Sequence, residues 1–212
     1  MSDQLTFYTH PMSRGRIVRW MLEELGKPYR TEIMDYATTL KAPAYLAINP
    51  MGKIPAIKHG DTVVTEAAGI CAYLADAFPE AGLAPPLGDK RRGPYFRWLF
   101  FAAGPVESVI VTRSLGVQVT PEQKRMVGWG DTADALNALE TAVAGREFIA
   151  GDKFSAADVY VGASIGWGMQ FGAIDKRPAF ERYSERMQNR PAAIRAREID
   201  DKLLAEAQPA TA

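Results

Sequence analysis

The residue types best suited to chemistry lie in one stretch, Asn49-Pro-Met-Gly-Lys-Ile-Pro-Ala-Ile-Lys-His-Gly-Asp-Thr-Val-Val-Thr-Glu-Ala67. Pro55 interrupts an apolar run between Ile54 and Ala56-Ile57, and a proline cannot donate a sheet hydrogen bond. Gly60-Asp61 joins two short runs at two-residue spacing, the mark of a tight hairpin with glycine first. Thr65 is placed to cap a helix over Ala67–Phe78, and Glu66 to sit at its positive end. A helix start beside an edge where proline frees backbone groups is a place to hold an anionic small molecule.

Other elements must position that stretch. Leu5-Thr-Phe-Tyr is β-prone and leads into the loop Thr9-His-Pro-Met. Ser13 is placed to cap a helix whose apolar residues Ile17, Val18, Met21, Leu22 and Leu25 fall at helical spacing. Gly26 ends that helix and Pro28 prevents its continuation. Tyr29, Thr31 and Ile33 alternate with Arg30 and Glu32 as a second strand, which completes a parallel βαβ unit. Asp35 to Leu40 is weakly patterned, and Tyr45-Leu-Ala-Ile48 reads as a short helical turn. The order β-α-β then β-β-α gives a small sheet with helices on its faces.

A proline- and glycine-rich run, Pro79 to Gly88, marks a linker. Beyond it the pattern predicts helices over 89–115, with a kink at Gly104-Pro105, and over 121–144, 155–171, 179–189 and 191–207. Phe154-Ser-Ala-Ala-Asp-Val159 carries capping-box and staple spacings. Gly162, Gly166, Gly168 and Gly172 suggest that the helix after it packs closely at the centre of its domain. The fold expected is an α/β domain over 1–79, a linker over 80–88 and an all-helical domain over 89–212.

Composition narrows the function. Lys+Arg and Asp+Glu are both 25, so the net charge is +0, which argues against a strongly basic nucleic-acid surface. The one cysteine, Cys71, has no internal partner; it reads as a buried structural thiol in a reducing compartment. No secretory leader is evident, and no apolar run approaches the ~20 residues needed to cross a bilayer. The expectation is therefore a cytoplasmic protein with no membrane and no nucleic-acid partner.

Five segments together resemble the cytosolic glutathione S-transferase family, bacterial type. They are Ser13-Arg-Gly-Arg-Ile-Val-Arg-Trp-Met-Leu-Glu-Glu-Leu25, Asn49-Pro-Met-Gly-Lys-Ile-Pro55, Thr65-Glu66 before a helix, Phe154-Ser-Ala-Ala-Asp158, and Phe180 to Pro191. The resemblance implies a thioredoxin-like N-terminal domain, an all-α C-terminal domain and a homodimer. It implies that Pro55 is cis and that the Ile54 backbone pairs with the cysteinyl part of glutathione as an added strand does. Glu66 and the backbone at Ala67 would hold the γ-glutamyl end, and Lys41 and Lys53 the glycyl carboxylate. Ser13 would be the thiolate donor of a serine-type active site. Tyr8 is the alternative, and the backbone N–H of Met12 or Ser13 a further one. Phe100, Val109 and Arg113 are candidates for an acceptor pocket, against a core or interface reading for the aromatic stripe Phe96, Phe100, Phe101.

The chemistry implied is thiol activation without a metal. A free thiol has a pKa near ~8.5, so a donor that stabilises the thiolate raises the nucleophilic fraction at neutral pH. Glutathione would be the co-substrate and a hydrophobic electrophile the acceptor, in detoxification. Two other readings stand beside it: a noncatalytic binding protein on the same fold, favoured by Ala67 where the family usually has serine, and glutathione-dependent peroxide reduction or isomerisation.

Overall fold

The computed structural model describes residues 4–207. Contacts divide the chain into two compact units, one running through Ala81 and resumed from Pro191, the other Gly82–Arg190.

In the first unit β1 (Leu5–Thr9), α1 (Gly15–Leu25) and β2 (Tyr29–Ile33) form the expected βαβ unit, with β1 and β2 parallel. After the short α2 (Pro43–Leu46), β3 (Ala56–His59) and β4 (Thr62–Thr65) make the hairpin, His59 opposite Thr62 and Gly60 at φ 57 between them. The sheet order is β2-β1-β3-β4, with β3 antiparallel to β1. Successive strand residues face opposite sides, and β1 shows what each side meets. Phe7, fully buried, lies under the Arg19 guanidinium of α1 at 5.2 Å from its ring centroid. Tyr8 packs instead on Tyr45 of α2, ring centroids 5.7 Å apart. α3 (Ala67–Ala77) packs against α1.

The last helix, α9 (Pro191–Ala207), belongs to this unit. This corrects the expected 89–212 boundary. The cause is a pair of charges far apart in sequence: Arg19 Nε donates to Asp200 Oδ1 at 2.7 Å, with both side chains 2% exposed. Arg16–Asp201 at 2.6 Å and Arg195–Glu23 at 3.2 Å flank it. The buried Ala192, Ala193 and Ala196 supply a small-residue contact face.

In the second unit the expected 89–115 helix begins at Arg92 and is divided. α4 (Arg92–Phe101) passes through a π-helical turn, Ala102–Val106, into α5 (Glu107–Ser114). Pro105 lacks an N–H, and the wider turn, with Glu107 N–H reaching Ala102 O, absorbs the loss. The expected 121–144 helix is only α6 (Thr132–Val143). The chain before it, from Pro121, carries a short 3-10 turn, Gln123–Arg125, leaves Met126 86% exposed, and of its apolar residues half-buries only Val127 and Trp129. Asp131 caps α6 by accepting from Asp134 N–H at 2.8 Å.

α7 (Ala156–Gln170) is the buried centre of this unit, and α8 (Pro178–Gln188) packs on it. Asp158 accepts from Ile149 N–H at 2.7 Å, Ser155 N–H at 2.9 Å, Ser155 Oγ at 2.9 Å and Tyr183 Oη at 2.8 Å. The α7 glycines do different things. A side chain at Gly168 would strike Ile174, whereas Gly172 lies past the helix in a positive-φ turn with open space around it.

Candidate active site

The stretch 49–67 is fastened by polar side chains. Asn49 Oδ1 accepts from Met51 N–H at 3.1 Å, while its Nδ2 donates to the Lys53 carbonyl at 2.8 Å. Tyr45 Oη donates to the same carbonyl at 2.6 Å. Lys41 Nζ donates to the Met51 carbonyl at 2.8 Å, and Gly52 is needed beneath it because its φ is +55 and a Cβ would come within 2.9 Å of the Leu40 carbonyl oxygen. The Ile54–Pro55 bond is cis. Ile54 N–H and C=O have no partner among the described residues, so a two-ended main-chain edge is left over.

Thr65 does not cap α3. It is the last residue of β4, and Glu66 occupies the capping position at φ 64, with no side-chain capping bond. An L-residue in that region is strained by ~1–3 kcal/mol unless its surroundings hold it there. The first-turn N–H groups of Ala67, Ala68 and Gly69 have no acceptor among the described residues, nor has the Glu66 carboxylate a donor. Donors for an anion and an acceptor for an ammonium therefore lie side by side. Ala67 is buried; the site has its backbone and no hydroxyl there. Lys53 is exposed, with its ammonium unpaired among the described residues.

The loop between β1 and α1 is arranged differently. Ser13 Oγ donates to the His10 carbonyl at 2.6 Å and accepts from Gly15 N–H at 3.0 Å. This corrects the capping expectation: Arg14 holds the capping position of α1, and Ser13, one residue earlier, takes only the Gly15 N–H. Gly15 must lack a side chain, since a Cβ would collide with Thr9 Oγ1. Met12 N–H donates to His10 Nδ1 at 3.1 Å, so that alternative thiolate donor is already engaged. Ser13 N–H has no acceptor among the described residues.

Tyr36, which nothing in the sequence marked, closes over this loop. Its hydroxyl donates to the Met12 carbonyl at 3.2 Å, and its ring lies 4.8 Å from that of His10. Tyr8 sits with Tyr45 and Ile54 in an apolar cluster built on Met34, Leu40 and Ala56. Burial first, and Glu32 second, raise its phenol pKa above the ordinary 10.0, so it remains protonated but is a weaker hydrogen-bond donor.

The acceptor candidates separate. Val109 is fully buried and belongs to the core of the helical unit. Phe100 is 60% exposed and stacks with Phe96 at 6.0 Å. Arg113 is held by Asp175 at 3.0 Å. Cys71 is fully buried, and burial pushes its thiol up to about 12, which matches the structural reading and removes it from thiol chemistry. Among the described residues no His, Cys, Asp and Glu group suits a metal, and no helix is long and apolar enough to cross a membrane.

A four-stranded mixed sheet with a cis-proline edge, joined to a helical unit, defines a thioredoxin-like domain with an all-α partner domain. The model of the glutathione S-transferase N-terminal domain matches residues 12–77, and that of the C-terminal domain residues 100–191. The chain belongs to the glutathione S-transferase family. It is 26% identical over 194 residues to glutathione S-transferase GST-4.5 of Xanthomonas campestris, covering 86% of this chain and 92% of that one. Glutathione S-transferase GstA of Escherichia coli O157:H7 is 28% identical over 192 residues, covering 87% and 90%. Among solved structures, a glutathione transferase of Methylococcus capsulatus superposes with a TM-score of 0.77 at 30% identity, covering 93% and 99%. A sphingomonad glutathione S-transferase solved in complex with glutathione gives 0.75 at 28%, covering 92% and 98%.

Proposed function

We propose that this transferase binds glutathione along 49–67 and joins its thiolate to a hydrophobic electrophile. The observation that carries the reading is the conjunction at that stretch of an Ile54 backbone edge, a Glu66 carboxylate and an open first turn of α3, none of them partnered among the described residues. Glutathione is complementary to each. Its cysteinyl amide pairs with Ile54 as a short added strand. Its γ-glutamyl ammonium meets Glu66, and the carboxylate of that end meets the N–H groups from Ala67. Lys53 and, beyond its Met51 bond, Lys41 face the glycyl carboxylate.

Sulfur activation falls to Ser13. Its N–H is available, and its hydroxyl can exchange the His10 carbonyl for a thiolate acceptor by rotating. Donation to sulfur from the N-terminal end of α1 lowers the thiol pKa from its free value of ~8.5. Tyr8 is the second choice. The acceptor is an electrophilic carbon with an apolar body, for which exposed Phe100 is the remaining candidate contact. A cytoplasmic, homodimeric detoxification enzyme is the setting that fits.

The test is calorimetric titration with glutathione, together with turnover of a chloronitrobenzene. Saturable binding with conjugation is expected. Binding without turnover of any electrophile would favour the noncatalytic reading, which Ala67 and the committed Ser13 hydroxyl support. No binding at millimolar glutathione would overturn the assignment.

A further inference from the structure

The helical unit carries a concavity of ≈ 490 Å³ that takes no residue from the stretch 49–67 or the Ser13 loop. The volume is in the range of small-ligand pockets, roughly 300–1,000 Å³. Its charge is unusual for this chain. Arg146, Arg182 and Arg186 line it against a single carboxylate, Glu147, in a protein of net charge +0. Elsewhere in the same unit Arg91 is matched to Asp89, Arg113 to Asp175 and Arg177 to Glu140, while Arg97 lies over the Trp98 ring. The Arg146 and Arg182 guanidinium groups have no partner among the described residues.

Its charged rim, Arg146, Glu147, Arg182 and Arg186, is exposed, and its floor is buried. Arg186 Nη2 donates to the Arg146 carbonyl at 2.7 Å, and its guanidinium lies 5.8 Å from the centroid of the Tyr183 ring. Tyr183 is fully buried and anchored by its hydroxyl to Asp158 at 2.8 Å. Arg182 and Arg186 are four apart on α8 and so share a face. Val143 and Ala179 add apolar wall.

We propose that this pocket binds a small phosphate monoester with an apolar body. Guanidinium groups match phosphate oxygens in bidentate pairs, and a dianion balances the excess of three arginines over one glutamate. The walls at Val143 and Ala179 take the organic part.

The experiment titrates the full-length protein with phenyl phosphate and, separately, inorganic phosphate, followed by calorimetry at low salt. Saturable binding of phenyl phosphate is expected, tighter than that of inorganic phosphate. Arg182→Ala and Arg186→Ala are each expected to weaken it about tenfold, and Arg125→Ala, outside the pocket, to leave it unchanged. Thermal melts establish that each variant is folded. Loss of binding in a variant that still melts like the parent supports the site. Equal affinity for both phosphates, equal affinity in all the arginine variants, or no saturable binding overturns it.

Discussion

The two loops that carry the candidate site residues solve opposite problems. In 49–67, side chains outside the contact edge do the fastening. Tyr45 and Asn49 hold the Lys53 carbonyl, and the Ile54 backbone and Glu66 carboxylate have no partner among the described residues. In 10–15, the polar groups satisfy one another: Ser13 Oγ with the His10 carbonyl, Met12 N–H with His10 Nδ1, Tyr36 Oη with the Met12 carbonyl. The first loop is preorganised to bind, so its ligand costs it little ordering. The second is at rest, and its hydroxyl must break one bond to make another. On the proposed reading the contrast would separate affinity, assigned to 49–67, from the rate of chemistry, assigned to Ser13.

The largest way to break that contrast is to loosen the helix that carries the resting loop. Asp200→Ala leaves Arg19 as a buried, uncompensated charge and should cost ~3–5 kcal/mol in chemical denaturation. A loss under about 1 kcal/mol would mean that the pair behaves as an exposed one. Among the described residues Arg19 Nη2 and Asp200 Oδ2 are each buried without a hydrogen-bond partner, so the pair is fastened on one side only.

Glu66→Gln tests the binding loop alone. It should weaken glutathione by about 1.5–3 kcal/mol, the worth of a charged hydrogen bond, with kcat little changed. An unchanged Kd in calorimetry would remove Glu66 from the site. Ser13→Ala is the mirror experiment. About a tenfold fall in kcat, or 1.4 kcal/mol, at unaltered glutathione affinity assigns the hydroxyl. Unaltered kcat instead assigns the Ser13 N–H as the donor, and Tyr8→Phe then separates that from the phenol.

Asn49→Ala should act more gently, by about 1 kcal/mol in stability and through KM more than kcat, because Tyr45 still holds the Lys53 carbonyl. The smallest effect is a pH dependence away from both loops. Burial raises the Cys71 thiol from 9.0 to about 12, so the folded state holds that proton more tightly than the unfolded chain. Its stabilising contribution is complete below pH 9 and is lost as the pH rises towards 12. Cys71→Ala should flatten that part of a stability–pH curve, and native Cys71 should resist a thiol reagent at pH 8. Rapid labelling of the native protein would refute the burial.

Much of this molecule is local and therefore legible. The Gly60-Asp61 hairpin and the Ser155–Asp158 capping box rest on groups close in sequence, where side-chain type and spacing settle the hydrogen bonding, and each element of the βαβ unit is patterned locally even though its strands pair across 24 residues. Asn49 could have been read further, because an asparagine two residues before an amide is an Asx turn in the making. The helix over 121–144 was misread because periodicity without burial does not hold a helix against an aspartate cap at Asp131.

What the sequence determined by itself was the family pattern and the local course of the stretch 49–67, since that course is set by near neighbours. Only the tertiary structure decided the rest. The Arg19–Asp200 pair spans 181 residues and draws the last helix onto the first unit. Tyr36 reaches back 24 residues to Met12, and the arginine-lined pocket joins residues 40 apart. Such pairings depend on which surfaces the helices bury against each other. That choice is made by packing over the whole chain, and no local spacing encodes it.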